Sequence, residues 1–329
     1  MRETLSDGTY SGRAQRRGAV FHLRLSIVAL WSLSIFCSLS SILSGPSCSA
    51  SAQDKKLTAE ELIARHLESI GNGEARTKAS TRVTSGEVKF IARLGGSANI
   101  DGQAMMVSTG AKLRFGLKLP LTDYPGEDMA FDGAKAATGL LPQGRRSNLS
   151  AFLSSQNLPL REGLMGGTLS TAWPLLRLDQ TQPKLDYRGL KKVDGRQLHE
   201  LGYRPRKGSA DLKVALFFDP ETFRHVRTRY SYEIGATIGT RENPNQNAES
   251  YYSLTEEFDD FRAVDGLTLP HKYRLQLSVQ GTSAAAVAGA PPTAQGLPNN
   301  PASSLHDWTF TVKQIAHNSK IDDLIFVIK

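Results

Sequence analysis

Three stretches of this 329-residue chain hold residue types from which active or binding sites are built. The first is REGLMGGTLSTAWPLL, residues 161–176, with Gly163, Gly166 and Gly167 among Leu164, Met165, Trp173 and Leu175. A phosphate-cradling loop needs lysine and then Ser or Thr after its last glycine; here Gly167 is followed by Thr168 and Leu169. A nucleophile elbow needs glycines two before and two after its serine; Ser170 has Thr168 and Ala172 there. What remains is a tightly bending backbone beside large apolar side chains. Two readings stay open: a packed core segment, or the wall of a ligand cavity in which Met165 and Trp173 adapt to an apolar guest.

The second stretch, HELGY at 199–203, begins as a zinc-protease helix does, but Tyr203 stands where the second histidine is needed. His66, His225, His271, His306 and His317 form no His-x-His pair. His66 falls beside an apolar helix face and reads as a packing residue. The third stretch, TEEFDDF at 255–261, gathers four carboxylates but lacks the alternating oxygens and glycine turn of a calcium loop. It reads as a solvated strand end with Phe258 and Phe261 inward. No nucleophile, base and orienter can be assembled. A non-enzymatic protein with no cofactor and no metal is expected.

Composition and the chain ends set the compartment. Residues 25–43, LSIVALWSLSIFCSLSSIL, carry no charge and follow Arg13, Arg16, Arg17 and Arg24. SASAQD then places Ala50 and Ala52 before a cut at Ala52–Gln53, the order of a secretory signal peptide over 1–52. A retained membrane anchor is the alternative, because the apolar run approaches the ~20 residues that span a bilayer. Both cysteines, Cys37 and Cys48, precede the cut, so the expected mature chain holds no disulfide. The full chain has a net charge of +8, and residues 1–52 hold five arginines against Glu3 and Asp7. The rest has no block of like charge, which argues against nucleic acid as a partner and limits membrane contact to the periphery. The expectation is a periplasmic or secreted single domain over 53–329.

Hydrophobic periodicity gives the elements. KLTAEELIARHLESIGNG reads as an amphipathic helix with a Thr58–Glu61 capping box and Gly71 as its stop. The period then changes to two. Leu113, Phe115, Leu117 and Leu119 share one face, as do Val226, Thr228, Tyr230, Tyr232 and Ile234; Tyr273, Leu275, Leu277 and Val279; and Trp308, Phe310 and Val312. One wet and one apolar face mark antiparallel strands. Asp-Gly at 101–102, 132–133, 194–195 and 265–266 predicts hairpin turns, as does Asp219–Thr222. About ten strands in meander order result. Two regions break the pattern: 143–178, read as a helical lid or insert, and 281–304, a small, proline-rich, uncharged stretch read as a flexible loop.

The architecture is therefore mainly β (α+β): a large curved antiparallel sheet forming an incomplete barrel, with helices covering the concave face. The succession TAEELIARHLESIGNGEARTKASTRVTSGEVKF, YRGLKKVDGRQLHELGYRP, VALFFDPETFRHVRTRYSY, FRAVDGLTLPHKYRLQL and VKQIAHNSKIDDLIFVIK resembles the periplasmic lipoprotein-carrier (LolA/LolB-like) superfamily and its outer membrane lipoprotein-sorting relatives. The resemblance implies a half-barrel with an apolar hollow for acyl chains. Such carriers hold the lid shut with an arginine, and no arginine here aligns with it. A lipid or lipoprotein acyl chain is the expected ligand, with Leu164, Met165, Trp173, Leu175, Phe115, Tyr230, Tyr232, Trp308 and Phe310 as cavity candidates. The alternative is a structural or regulatory envelope protein with a filled core, acting through a protein partner.

Overall fold

The computed structural model describes residues 57–93, 97–207, 211–234, 250–281 and 304–328. The expected export signal, its cut at Ala52–Gln53 and most of the expected 281–304 loop lie outside them. Helix α1 (Ala59–Ile70) starts as its sequence dictates: Thr58 Oγ1 accepts from the Glu61 amide at 3.2 Å, and the Glu61 carboxylate accepts from the Thr58 amide at 3.1 Å. It buries Leu62, Ile63, His66 and Ile70 and ends at Gly71. A short α2 (Gly73–Lys78), capped by Asn72, leads into the sheet.

Twelve antiparallel strands follow among the described residues, two more than the periodicity marks. β1 (Thr81–Arg93), β2 (Ser97–Thr109), β3 (Lys112–Lys118), β4 (Gly126–Phe131) and β5 (Ala136–Thr138) form one meander. A second runs through β6 (Lys184–Val193), β7 (Arg196–Arg204), β8 (Lys213–Phe218), β9 (His225–Ile234), β10 (Ser250–Val264), β11 (Leu267–Gly281) and β12 (Ser304–His317). The order is not a plain meander, because β12 returns to pair with β1. The two meanders thus join along one ladder, and β5 and β6 are the free edges of an unclosed sheet.

That order fixes what lies between β5 and β6. The connecting strap, residues 139–183, must travel from one edge of the sheet to the other. It contains α3 (Asn148–Ser155), α4 (Leu158–Arg161), two 3-10 turns (Gly167–Leu169, Pro174–Arg177) and α5 (Leu178–Thr181). Its apolar residues join the inner faces of the strands and α1 in a single core.

The inner face follows the period-two reading in β3, β11 and β12. Asp194–Gly195 and Asp265–Gly266 each place two successive residues at positive φ, the hairpin turn their sequence favours. Asp132–Gly133 also turns, with Asp132 Oδ1 accepting from the amides of Ala134 and Lys135. Asp101–Gly102 does not: it lies inside β2, opposite Lys89 and Val88. There a side chain on Gly102 would come within 2.2 Å of the Lys118 carbonyl oxygen, so the glycine serves close backbone approach. In β9 a bulge opposite Phe217–Phe218 turns His225 inward and leaves Val226 in a small outer cluster with Val193, Leu198 and Phe217. TEEFDDF is split likewise. Glu257 faces outward in an ion ladder with Arg227, Arg274 and Asp307, whereas Glu256 is wholly buried.

Candidate functional site

Strap and sheet meet in two ways. Over residues 163–176 they are packed shut. Gly163, Gly166 and Gly167 all have positive φ, at 72°, 78° and 49°. A side chain on Gly166 would lie 2.7 Å from Met106 Sδ, and one on Gly167 2.8 Å from the Phe258 ring. These glycines let the strap backbone reach the inner face of the sheet. The Gly166 amide donates to Glu256 Oε1 at 2.7 Å, and the hydroxyls of Tyr230 and Tyr273 donate to the same carboxylate at 2.6 Å each. Burial pushes the Glu256 carboxyl up to about 7, against the pull of those three donors. A second tie comes from Arg82, which donates to the Thr168 carbonyl at 2.5 Å and to His317 Nε2 at 3.0 Å, while His317 Nδ1 meets Asp265 at 2.8 Å.

Beside this seam lies an aromatic cluster. His66 accepts from Trp173 Nε1 at 3.1 Å, and its Nδ1 donates to the Phe223 carbonyl at 3.1 Å, which defines the neutral tautomer. His225 stacks on Trp173 with ring centres 4.5 Å apart. Burial lowers His66 to about 4 and His225 well below the usual imidazole range, so both are neutral core residues at pH 7.

Near the other end of the strap the packing is open. A cavity of about 380 Å³ lies between β1, β2, β12, the β3–β4 loop and residues 141–149. Its floor is aromatic: Phe90 stacks on Trp308 at 5.4 Å, His306 stacks on Trp308 at 5.9 Å, and Tyr124 leans on Phe90 at 5.0 Å. Pairing sets this stack, since Phe90 opposes Trp308, and Ala92 opposes His306, across the β1–β12 ladder. Ile100, Leu121, Leu141 and Leu149 complete the apolar wall.

A polar chain runs beneath. Trp308 Nε1 donates to the Tyr124 hydroxyl at 3.0 Å, which donates to Glu127 Oε1 at 2.6 Å. The hydroxyls of Ser147 and Ser150 donate to Glu127 Oε2 at 2.8 Å each. Ser147 also caps α3. Burial raises the Glu127 carboxyl, and hydrogen bonds from Ser147, Tyr124 and Ser150 offset part of the rise. Exposed Gln143, Arg145 and Arg146 stand at the mouth. The volume falls in the ~300–1,000 Å³ range of small-molecule pockets, and an apolar wall with few polar groups is their usual chemistry.

Of the nine cavity candidates from the sequence, Trp308 alone lines this space. Leu164, Met165, Trp173, Leu175, Phe115, Tyr230 and Phe310 are buried in the continuous core, and Tyr232 packs half-buried against it. Phe90, Tyr124, Glu127 and Arg145–Arg146 were not singled out by sequence. Phe90 alternates with Val88 in a strand-like run, but its partnership with Trp308 spans more than two hundred residues. Glu256 did leave a signal, since it alternates with Leu254 and Phe258. Among the described residues no group of three or more His, Cys, Asp or Glu is placed to hold a metal.

No family model matches the chain, and no curated protein matches it. Among solved structures, the chain is similar to a LolA superfamily protein from Nitrosomonas europaea, at 10% identity and a TM-score of 0.40, over 83% of this chain and 98% of that one. It is similar also to an outer membrane lipoprotein-sorting protein domain from Vibrio parahaemolyticus, at 11% identity and a TM-score of 0.43, over 82% and 97%. A third is a DUF1329 family protein from Desulfovibrio piger, at 11% identity and a TM-score of 0.35, over 82% and 96%.

Proposed function

We propose that this is a non-enzymatic binding protein of the periplasm or the secreted fraction. It takes a lipid, a lipoprotein acyl chain or another apolar ligand into the cavity under the 141–149 segment. One observation carries the reading: a 380 Å³ space with an aromatic floor whose buried carboxylate, Glu127, is already held by three protein donors. Such a wall gains from an apolar guest, at ~25 cal/mol per Å² of apolar surface covered, less the cost of immobilising the guest. Two buried titratable groups elsewhere, Glu256 and His66, are committed to hydrogen bonds that hold the strap.

A second reading, a partner-binding envelope protein, is supported by the outer face. A groove there runs beside exposed Met105 and the C-terminal turn Asp323–Phe326, where Leu324 is 73% exposed.

The test is lipid extraction of the protein purified from an exporting host, with titration of Trp308 emission by a neutral apolar dye. The expected result is co-purified lipid or saturable dye uptake, lost in the cavity-filling Ala92→Phe and in Phe90→Asp while cooperative unfolding is retained. A protein that carries no lipid and takes up neither dye nor added fatty acid overturns the reading.

A further inference from the structure

The charges around the cavity are divided by depth. Inside, the Glu127 carboxyl is buried, which raises its pKa, and its oxygens accept from Tyr124, Ser147 and Ser150. His306, in the wall, is held neutral by burial, which lowers its pKa. At the mouth the balance reverses. Arg145 and Arg146 both line the opening from the exposed turn before α3, and neither guanidinium has a hydrogen bond or ion pair among the described residues. The one exposed carboxylate at the rim, Asp123, accepts instead from Gln143 Nε2 at 3.3 Å. Elsewhere on the sheet, Arg114, Arg188, Arg227 and Arg274 each engage a carboxylate. Two adjacent free guanidiniums above an aromatic floor present the planar fork that matches a carboxylate or a phosphate.

We propose that the guest is an amphiphile with an anionic head, its chain lying over Phe90 and Trp308 and its carboxylate or phosphate held at the mouth by Arg145 and Arg146. The inference rests on the apolar-cavity reading and adds the chemistry of the head group. The chain supplies most of the affinity through burial. The head supplies selectivity, about tenfold over an uncharged head, because the guanidiniums remain in contact with water.

The experiment compares three probes of equal chain length below their micelle concentrations: dodecanoate, dodecyl phosphate and 1-dodecanol. Binding is followed at pH 8 through Trp308 emission, with Trp308→Phe as the signal control. Each probe is titrated into the wild-type protein and into the Arg145→Gln/Arg146→Gln variant. At least one anion is expected to bind about tenfold more tightly than the alcohol in the wild type. That ratio should fall toward one in the double variant and in 1 M salt, with the alcohol's own affinity unchanged. A preference for dodecanoate identifies a fatty acid and a preference for dodecyl phosphate identifies a phospholipid-type head; either supports the proposal. If dodecanol binds as well as both anions, or the ratio survives in the double variant, the head-group assignment is overturned while the cavity reading stands. If none of the three binds, the cavity reading fails and this inference falls with it.

Discussion

The two ends of the strap meet the same sheet and use the same device, a buried glutamate that accepts three donors, yet one end is solid and the other hollow. At Glu256 one donor is the strap backbone itself, the Gly166 amide, and the glycines beside it let main chain fill the space. At Glu127 the strap donors are the side chains of Ser147 and Ser150 on α3, and the α3 backbone does not reach the Phe90–Trp308 floor. Glycine draws a connecting segment onto a sheet, and a helix holds it away. That difference separates a core from a cavity in one fold.

The sharpest way to break the comparison is to truncate one tryptophan at each end. Trp173→Ala removes a fully buried ring from close packing and the donor to His66, and should cost about 3–5 kcal/mol in denaturant unfolding. Trp308→Ala enlarges a space that already exists and should cost about 2 kcal/mol while abolishing ligand uptake. Equal losses would mean that the cavity end is as tightly packed as the glycine end.

The pH dependence of Glu256 comes next. Its folded-state pKa, about 7, lies above the ordinary carboxylate value of 4.5, so between these pH values the folded chain holds a proton that the unfolded chain has released. Stability contributed by this group is complete below pH 4.5 and falls as pH rises to about 7, by about 3 kcal/mol. Glu256→Gln cannot ionise, so its stability relative to wild type should climb across that window in unfolding curves taken from pH 4.5 to 8. His66 acts in the opposite sense. Its pKa, lowered to about 4, makes wild type lose stability as pH falls from 6.5 toward 4, and a neutral His66→Gln should flatten that limb.

The smallest effect separates space from strain. Gly166 and Gly144 both have left-handed φ, at 78° and 74°. Gly166 is walled by Met106, whereas nothing lies within 4 Å of a side chain at Gly144. Gly144→Ala should cost about 1 kcal/mol from backbone strain alone, and Gly166→Ala about 2–3 kcal/mol because Met106 must also move. Thermal unfolding of the two variants measures the difference directly.

Much of this was legible in the sequence, for physical reasons that differ by residue. A strand face is local information, so Leu113–Leu119, Tyr273–Val279 and Trp308–Val312 could be read from alternation. Glu256 sits in the same kind of alternation, but four carboxylates in seven residues suggest water, and its burial is made tolerable by Tyr230 and Tyr273 on neighbouring strands and by the Gly166 amide of the strap. The inward turn of His225 depends on a bulge that no spacing rule locates. Phe90 and Tyr124 belong to the cavity because β12 returns beside β1, a fact of topology. The glycine stretch left its two readings open in the sequence, and the atoms that surround Gly166 and Gly167 place it in the core.

The β1–β12 ladder has a kinetic consequence. Each meander joins strands that are neighbours in sequence, whereas pairing β1 with β12 brings together segments more than two hundred residues apart. The ladder begins where Asn318 accepts from the Ser80 amide and donates to the Thr81 carbonyl, and it runs through Phe90 and Trp308. The cavity floor therefore straddles the pairing of highest contact order in the sheet. A guest lying across both strands holds them together, so saturating ligand should slow unfolding more than it speeds folding. Release of the proposed guest and opening of the sheet would then follow the same line.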